Sequence, residues 1–399
     1  MTGNTPLAGF TILDFTQFYQ GPYATFLLAK AGADVVKVEP PGGESLRRMA
    51  PPGKEGSFPI AMLNANKRGI TLNLKTEAGR DLLCRMVGRV DAVVENYAPG
   101  VMDRLGVGWP VLSALNPRLV YASATGFGLS GPDRDNLAMD FTIQAASGVM
   151  SLTGYPDSPP LRTGAPYVDI LGGATLYGGL VTALLERERT GRGRLVEIAM
   201  VEAVYPCLAT ALDQYHRAGQ TIPARTGNAF ANHNRAPYNV YPAQDGHVAI
   251  ILVTEAQWQN LLRAMGREDL QDDPRFIRNT ARVAHYAETE ALVAAWTAAR
   301  TRAEIFAATS LYKVPCAPVR DLEEVMNDPH MHGRGMLEVV DHYDYGPVVL
   351  PNSPLRFHGA DTVPTRVSPH IGEHNAAVYG DWLGLSGADL ARLRDEGAI

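Results

Sequence analysis

The sequence predicts an α/β protein: a parallel-sheet domain followed by a smaller α+β domain. Three observations carry this. Short apolar runs alternate with stretches of helical periodicity through the first half of the chain. That rhythm changes near residue 225. The 399-residue length suits two domains.

Along the chain, Phe10 to Phe15 (FTILDF) and Asp34 to Glu39 (DVVKVE) read as strands. Between them Pro22 to Lys30 reads as a helix, with Ala24, Leu27, Leu28 and Ala31 at helical spacing and Gly32 as its stop. Strand, helix, strand is a βαβ unit, whose crossover implies parallel pairing. The pattern repeats: strand Gly69 to Leu74, helix Glu77 to Val87, strand Asp91 to Glu95, a short helix near Val101 to Leu105, and strand Arg118 to Ala122. In such sheets ligands gather beyond the strand C-termini. A turn-prone run, Gly154 to Pro160, precedes GAPYVDILGG (Gly164 to Gly173). A helix is predicted from Gly173 to Arg189, closed by the basic, glycine-rich turn Arg189 to Gly193. Val196 to Met200 is a further strand, and Cys207 to Gln220 reads as helical. Beyond residue 225 come strands Asn239 to Pro242 and His247 to Val253. Helices Glu255 to Met265, Tyr286 to Arg300 and Arg302 to Thr309 come next, with a tail helix near Leu383 to Glu396.

Composition narrows the function. The chain is 46% hydrophobic and carries a net charge of -6. No Lys/Arg block offsets that charge, which argues against a nucleic-acid partner. Cys84, Cys207 and Cys316 are far apart and odd in number, so no disulfide framework or CxxC zinc site is expected. The expected setting is a reducing cytoplasm. The opening lacks the basic-then-apolar pattern of a signal peptide. No apolar run reads as long enough to span a bilayer, so no membrane partner is expected.

Few constellations carry chemistry. His330-Met331-His332 and His342-Tyr343-Asp344 lack metal-ligand spacing and read as solvated loops, so no metal is expected. Gly126, Gly128 and Gly131 spell GxGxxG, but Pro132-Asp133-Arg134-Asp135 comes where a dinucleotide site needs a helix. Neither GxxxxGK[ST] nor GxSxG occurs. Candidate nucleophiles narrow to carboxylates or a cysteine. Asp169 is placed on a short connector leading into a helix N-terminus, where N–H groups and the helix dipole favour an anion. Taken alone, it is an ordinary N-cap or first-turn acid. Arg47, Arg48, Lys67, Arg68, Lys75 and Arg104 lie near strand ends and would suit a phosphorylated ligand, or simply face solvent.

Motifs along the whole chain add to this. They include LDFTQFYQGP (Leu13 to Pro22), ADVVKVEPPGG (Ala33 to Gly43), NANKRGITLNLKTEAG (Asn64 to Gly79) and VENYAPGVMDRLG (Val94 to Gly106). GFGLSGP (Gly126 to Pro132), the Asp169 stretch, RTGRG (Arg189 to Gly193), APYNVYPAQDG (Ala236 to Gly246) and IGEHN (Ile371 to Asn375) continue the series. In this order and spacing the chain resembles the class III CoA-transferases, the formyl-CoA transferase-like family.

The resemblance implies a Rossmann-like large domain from residues 1–200 and 351–399, and a small α+β domain at 225–328. Linkers at 201–224 and 329–350 would join them, in an interlocked homodimer. It implies coenzyme A and acyl-CoA as substrate, with no permanently bound cofactor, and a free carboxylic acid as second substrate. Asp169 would be the nucleophile, passing through an aspartyl anhydride and an aspartyl-CoA thioester, with helix N–H groups after it holding the oxyanion. Gln17, Tyr19, Gln20, Met139 and Asp140 would lie near the reacting centre. Leu72, Lys75, Asn96, Tyr97, Arg104 and Leu105 would contact CoA.

The chain departs from the family archetype in several places. Pro40 stands where the archetype has Arg, and Leu137 where it has Lys, so phosphate binding falls to Lys75, Arg104 or the Arg47/Arg48 pair. Tyr19 replaces a glutamine, leaving Gln17 or Gln20 as substitutes. The glycine-rich lid has no counterpart, since Ala224 to Ala236 contains only Gly227. A short dicarboxylic acid would be recognised by Arg47, Arg235 or His233. The same fold also serves α-methylacyl-CoA racemases, the alternative activity. Their His–Asp pair is Met139-Asp140 here, which removes one base and favours transfer.

Overall fold

A computed structural model describes residues 4–222 and 224–399. Residues 1–3, at the start of the expected large domain, and residue 223, in the expected first linker, lie outside the described residues. The chain forms two compact units. The first comprises Met1–Ser147, Gly164–Pro206 and Asp328–Ile399; the second comprises Gly148–Thr163 and Cys207–Asn327. The segment 148–163, counted with the large domain from sequence, thus falls in the second unit, and 328–350 in the first.

The first unit is built on a six-stranded sheet: β1 (Thr11–Asp14), β2 (Asp34–Glu39), β3 (Arg68–Thr71), β4 (Ala92–Glu95), β5 (Val120–Thr125) and β6 (Leu195–Ala199). All neighbours pair in parallel, in the order β3-β2-β1-β4-β5-β6. That is the doubly wound arrangement. The strand order reverses between β1 and β4, so the chain leaves these two neighbours in opposite directions and opens a crevice beyond their C-termini.

The strands read as apolar runs because both faces are covered. Alternate residues supply two cores. Leu13, Val36, Val93 and Tyr121 point to one, with Leu82, Leu83 and Met86 of the helix Glu77–Val87. Ile12, Val35, Val94 and Val120 point to the other. There they meet Leu28 of α1 (Gln20–Lys30) and Leu176, Leu180 and Leu184 of the helix Tyr167–Thr190. Each such buried leucine contributes about 1.5–3 kcal/mol. The C-terminal tail closes the first core with Val378, Tyr379, Leu393 and Ile399. The Tyr379 hydroxyl donates to the Thr71 carbonyl at 2.7 Å.

The helix Tyr167–Thr190 starts six residues earlier than its glycines suggested, so Asp169 lies inside its first turn and not on a connector before it. Pro166 takes the N-cap position without a side-chain bond, and Gly191, at φ 73°, ends the helix in the left-handed region. Among the described residues it is the one helix long and apolar enough, by length and composition, to cross a membrane. Here it packs on α1, β5 and β6. Its second turn approaches α1 closely: a Cβ at Gly172 would lie 2.9 Å from the Gln20 side-chain nitrogen, and one at Gly173 would lie 2.4 Å from the Gln20 carbonyl oxygen. Two glycines thus bring the start of α1 against the turn just after Asp169.

The sequence did not reveal the helix Asp140–Ala146 or the hairpin of β10 (Leu337–His342) and β11 (Gly346–Pro351). His342-Tyr343-Asp344, read as a solvated loop, begins at the end of β10, and His342 is buried. The second unit has an antiparallel sheet, β7 (Tyr238–Ala243), β8 (Gly246–Ile251) and β9 (Cys316–Pro318). Helices Glu255–Met265, Tyr286–Ala298 and Arg302–Leu311 pack on it around buried Trp258.

Candidate active site

The crevice at the β1/β4 reversal is lined by the segments that leave the two strands. After β1 the chain turns through Thr16 to Tyr19 into α1; after β4 come Asn96 and Tyr97. Asn96 ties the two together: Gln17 N–H donates to its Oδ1 at 2.7 Å, and its Nδ2 donates to the Gln17 carbonyl at 2.9 Å. Phe18 sits at φ 61°, a left-handed conformation that costs a non-glycine residue on the order of 1–3 kcal/mol.

One cavity here contains Asp169, together with Phe18, Gln20, Asn96, Tyr97, Arg134, Met139 and Met200. Asp140 does not share its surface in the same way. Its Oδ2 accepts the N–H groups of Val168 at 2.9 Å and Asp169 at 3.2 Å, while Gln144 Nε2 donates to its Oδ1 at 2.6 Å. A carboxylate from a distant helix therefore caps the helix that carries Asp169. Burial, and then the like charge of Asp140, push the Asp169 carboxyl up to about 7. Tyr19 is raised by burial and by the nearby Asp169 charge.

The expected oxyanion donors are spoken for. Val168 and Asp169 donate to Asp140, and Ile170 N–H, the first after Asp169, donates to the Pro166 carbonyl at 3.2 Å. The unpartnered donor beside this cavity is Gln20. Its side chain is buried, and its Nε2 has no hydrogen-bond partner among the described residues. A buried donor without a partner is an anomaly, and Gln20 is among the residues that line the Asp169 cavity.

A second cavity lies along the ends of β1 to β3. Leu72, Lys75, Leu105 and Gln17 line it, and Tyr97 borders both cavities. Four sequence-assigned residues, Leu72, Lys75, Tyr97 and Leu105, thus come together. Gln17 lies on this side and not in the Asp169 cavity, and Asn96 lines the Asp169 cavity instead. Arg104 is exposed beyond both, 3.5 Å from the Pro99 carbonyl.

Several basic candidates are already paired. Arg47 forks onto Glu39 at 2.8 Å and donates to the Pro369 carbonyl at 2.9 Å. It is not free to bind a phosphate or an acid, which corrects that expectation. Lys67 is buried on Asp14 at 2.8 Å, and Arg68 is held by Asp34. Burial pushes Asp14 upward, but Lys67 and Lys37 outweigh it and hold the carboxyl at about 2. Arg134, which the sequence did not single out, brings a cation to the lining of the Asp169 cavity; its Nε donates to Asp135 Oδ1 at 3.3 Å in an exposed pair, unlike the buried pairs of Arg47 and Lys67. Its one signal was its place just after GFGLSGP.

A family model described as "CoA-transferase family III" matches residues 7–375. The chain belongs to that family, and it is an enzyme that transfers CoA. It is similar to a formyl-CoA:oxalate CoA-transferase of Streptomyces avermitilis, 36% identical over 408 residues, covering 98% of this chain and 99% of that one. It is also similar to a succinyl-CoA–D-citramalate CoA-transferase of Chloroflexus aurantiacus, 36% identical over 399 residues, covering 99% and 98%. Among solved structures it resembles a CaiB/BaiF family protein from Brucella suis, with TM-score 0.85 and 35% identity, covering 95% of this chain and all of that one.

The shared helix N-terminus has a measurable consequence. The Asp169 carboxyl, followed by carbon-13 NMR in the free protein, should titrate at about 7. In Asp140→Asn the like charge is gone, so the midpoint should move down. An Asp169 midpoint near an ordinary aspartate value of about 3.9 in the unmodified protein would contradict this account.

Proposed function

We propose that the protein moves CoA from an acyl-CoA donor to a short carboxylic acid, with dicarboxylates favoured, through covalent intermediates on Asp169. The observation that carries this is a half-buried carboxylate, held at about 7, in a cavity that it shares with Gln20, whose buried amide donor has no partner. At neutral pH a large fraction of Asp169 is ionised, yet it is less solvated and more basic than a surface aspartate.

The steps balance. The Asp169 carboxylate attacks the thioester carbonyl, the C–S bond breaks, and CoA leaves as thiolate. The thiolate then attacks the aspartyl carbonyl of the mixed anhydride. The anhydride C–O bond breaks, the donor acid leaves as carboxylate, and aspartyl-CoA remains. The acceptor carboxylate attacks this thioester, and the sequence runs in reverse. In each addition the Gln20 amide would donate to the developing oxyanion. Leu72, Lys75, Tyr97 and Leu105 would take the remainder of CoA, placing its adenine and phosphates along the second cavity. Lys75, exposed at its rim, would act on a phosphate as a point charge.

Dicarboxylate preference rests on two supports. The similar enzymes are named for oxalate and for succinyl-CoA with D-citramalate. Arg134 lines the Asp169 cavity, where its guanidinium suits a second carboxylate. Two observations weigh against the racemase alternative: Met139 stands where a histidine base is needed, and Asp140 is committed to two backbone N–H groups.

Asp169→Ala should lower CoA exchange by on the order of a thousandfold or more while CoA binding stays near its original affinity. Exchange that survives the substitution would exclude Asp169 as nucleophile. Arg134→Ala should raise KM for succinate or oxalate by about tenfold or more and leave that for acetate within about threefold, since a charge-assisted contact is worth about 1.5–3 kcal/mol. Equal changes for both acids would remove Arg134 from acid recognition.

A further inference from the structure

Five consecutive backbone polar groups in the turn after β1 are bound by side chains. Thr16 N–H donates to Asp14 at 2.9 Å, and the Thr16 carbonyl accepts from Lys37 Nζ. Asn96 holds both polar groups of Gln17. Phe18 N–H donates to Glu44 Oε2 at 3.0 Å. This turn delivers Phe18 and Gln20 to the Asp169 cavity, and it holds Phe18 in the left-handed region.

Two of these holders form a pair of their own. Lys37 Nζ lies 2.9 Å from Glu44 Oε1, and both side chains are 1% exposed. Desolvation acts to lower the Lys37 ammonium, but Glu44, Asp14 and Glu39 hold it above its ordinary range. Glu44 is fixed from behind as well: its N–H donates to Glu39 Oε1 at 3.1 Å, and Arg47 locks Glu39. One Glu44 oxygen therefore faces Lys37 while the other takes the Phe18 amide. A buried ion pair is a poor device for stability, because apolar replacements of similar volume often do as well. What this pair has that apolar residues lack is an acceptor at a fixed point beneath Phe18 and a donor beneath Thr16.

We infer that Lys37 and Glu44 are positioning residues that hold the Thr16–Gln20 turn, and so the Gln20 side chain, in the wall of the Asp169 cavity. This rests on the assignment of Asp169 as the acyl acceptor. The pair touches no substrate; it acts through the backbone of Thr16 and Phe18. Its loss would let Phe18 relax out of the left-handed region and swing Gln20 away from the cavity. A shift of about 1 Å at such a group slows chemistry on the order of a hundredfold.

Two charge-free double variants separate positioning from fold. Lys37→Met with Glu44→Leu removes the charges and the acceptor for Phe18 N–H. Lys37→Met with Glu44→Gln removes the charges and keeps an acceptor. Single-turnover acylation of Asp169 is followed by intact-protein mass spectrometry with succinyl-CoA as probe donor, alongside CoA binding by calorimetry. The Leu variant should acylate about a hundredfold more slowly, with CoA affinity within about threefold of the original, and the Gln variant should recover at least about tenfold of that loss. Equal rates in the two variants would overturn the inference. Amide hydrogen exchange on the unaltered protein is an independent arm. The Phe18 amide should be protected, and exchange at the rate of an open loop would overturn the inference even if both variants misfold. If the unaltered protein forms no adduct with succinyl-CoA, that failure falls on the Asp169 assignment, while the exchange arm still decides the positioning role.

Discussion

Two carboxylates meet at one helix N-terminus, and the site depends on how they divide it. Asp140 takes the N–H groups of Val168 and Asp169. Asp169 is left in the first turn with its carboxyl raised by burial and by that neighbouring charge. A helix start ordinarily stabilises an anion and lowers its affinity for protons. Here the stabilising N–H groups are spent on a different residue. Asp169 keeps the location and loses the benefit, which leaves a more basic carboxylate at the point where a substrate arrives.

That division has a second effect. A helix whose first N–H groups are occupied is a poor oxyanion site, so charge developing on a substrate must find another donor. Gln20 Nε2 is buried, unpartnered and beside the same cavity. Its place is set from both sides. Gly172 and Gly173 let α1 pack with Gln20 against the turn just after Asp169, and the side chains beneath the Thr16–Phe18 turn hold the backbone that leads into α1. The strand order explains why the parts converge here, since the β1/β4 reversal is where the sheet leaves an open crevice.

Much of the frame was legible in the sequence. Strands buried on both faces appear as apolar runs, so β2 (DVVKVE) was read to its ends, and the helix Glu77–Val87 was visible from its leucines. The family motifs pointed to Asp169 and the Leu72–Lys75 segment, and each lines a cavity. The features that escaped were non-local. The cap on the Asp169 helix comes from residue 140, so no local pattern could place the helix start at Tyr167. Arg47 and Lys67 looked like available cations because charge patterns do not reveal a buried partner. Gln17 and Gln20 were equivalent on paper; the turn between them sends one to each cavity. Arg134 carried no pattern beyond its neighbours.

The central claim is that the Asp169 carboxylate exchanges an oxygen with the acids it activates. Turnover with a carboxylic acid acceptor labelled in both oxygens with oxygen-18 tests it directly. The acceptor's attack on aspartyl-CoA places one of its oxygens between itself and Asp169, and the return of CoA leaves that oxygen on the enzyme. Peptide mass spectrometry after a single turnover should therefore find oxygen-18 on the peptide containing Asp169, and the acyl-CoA product should retain the other labelled oxygen. Product formation with no label on that peptide, and both labels accounted for elsewhere, would contradict the account.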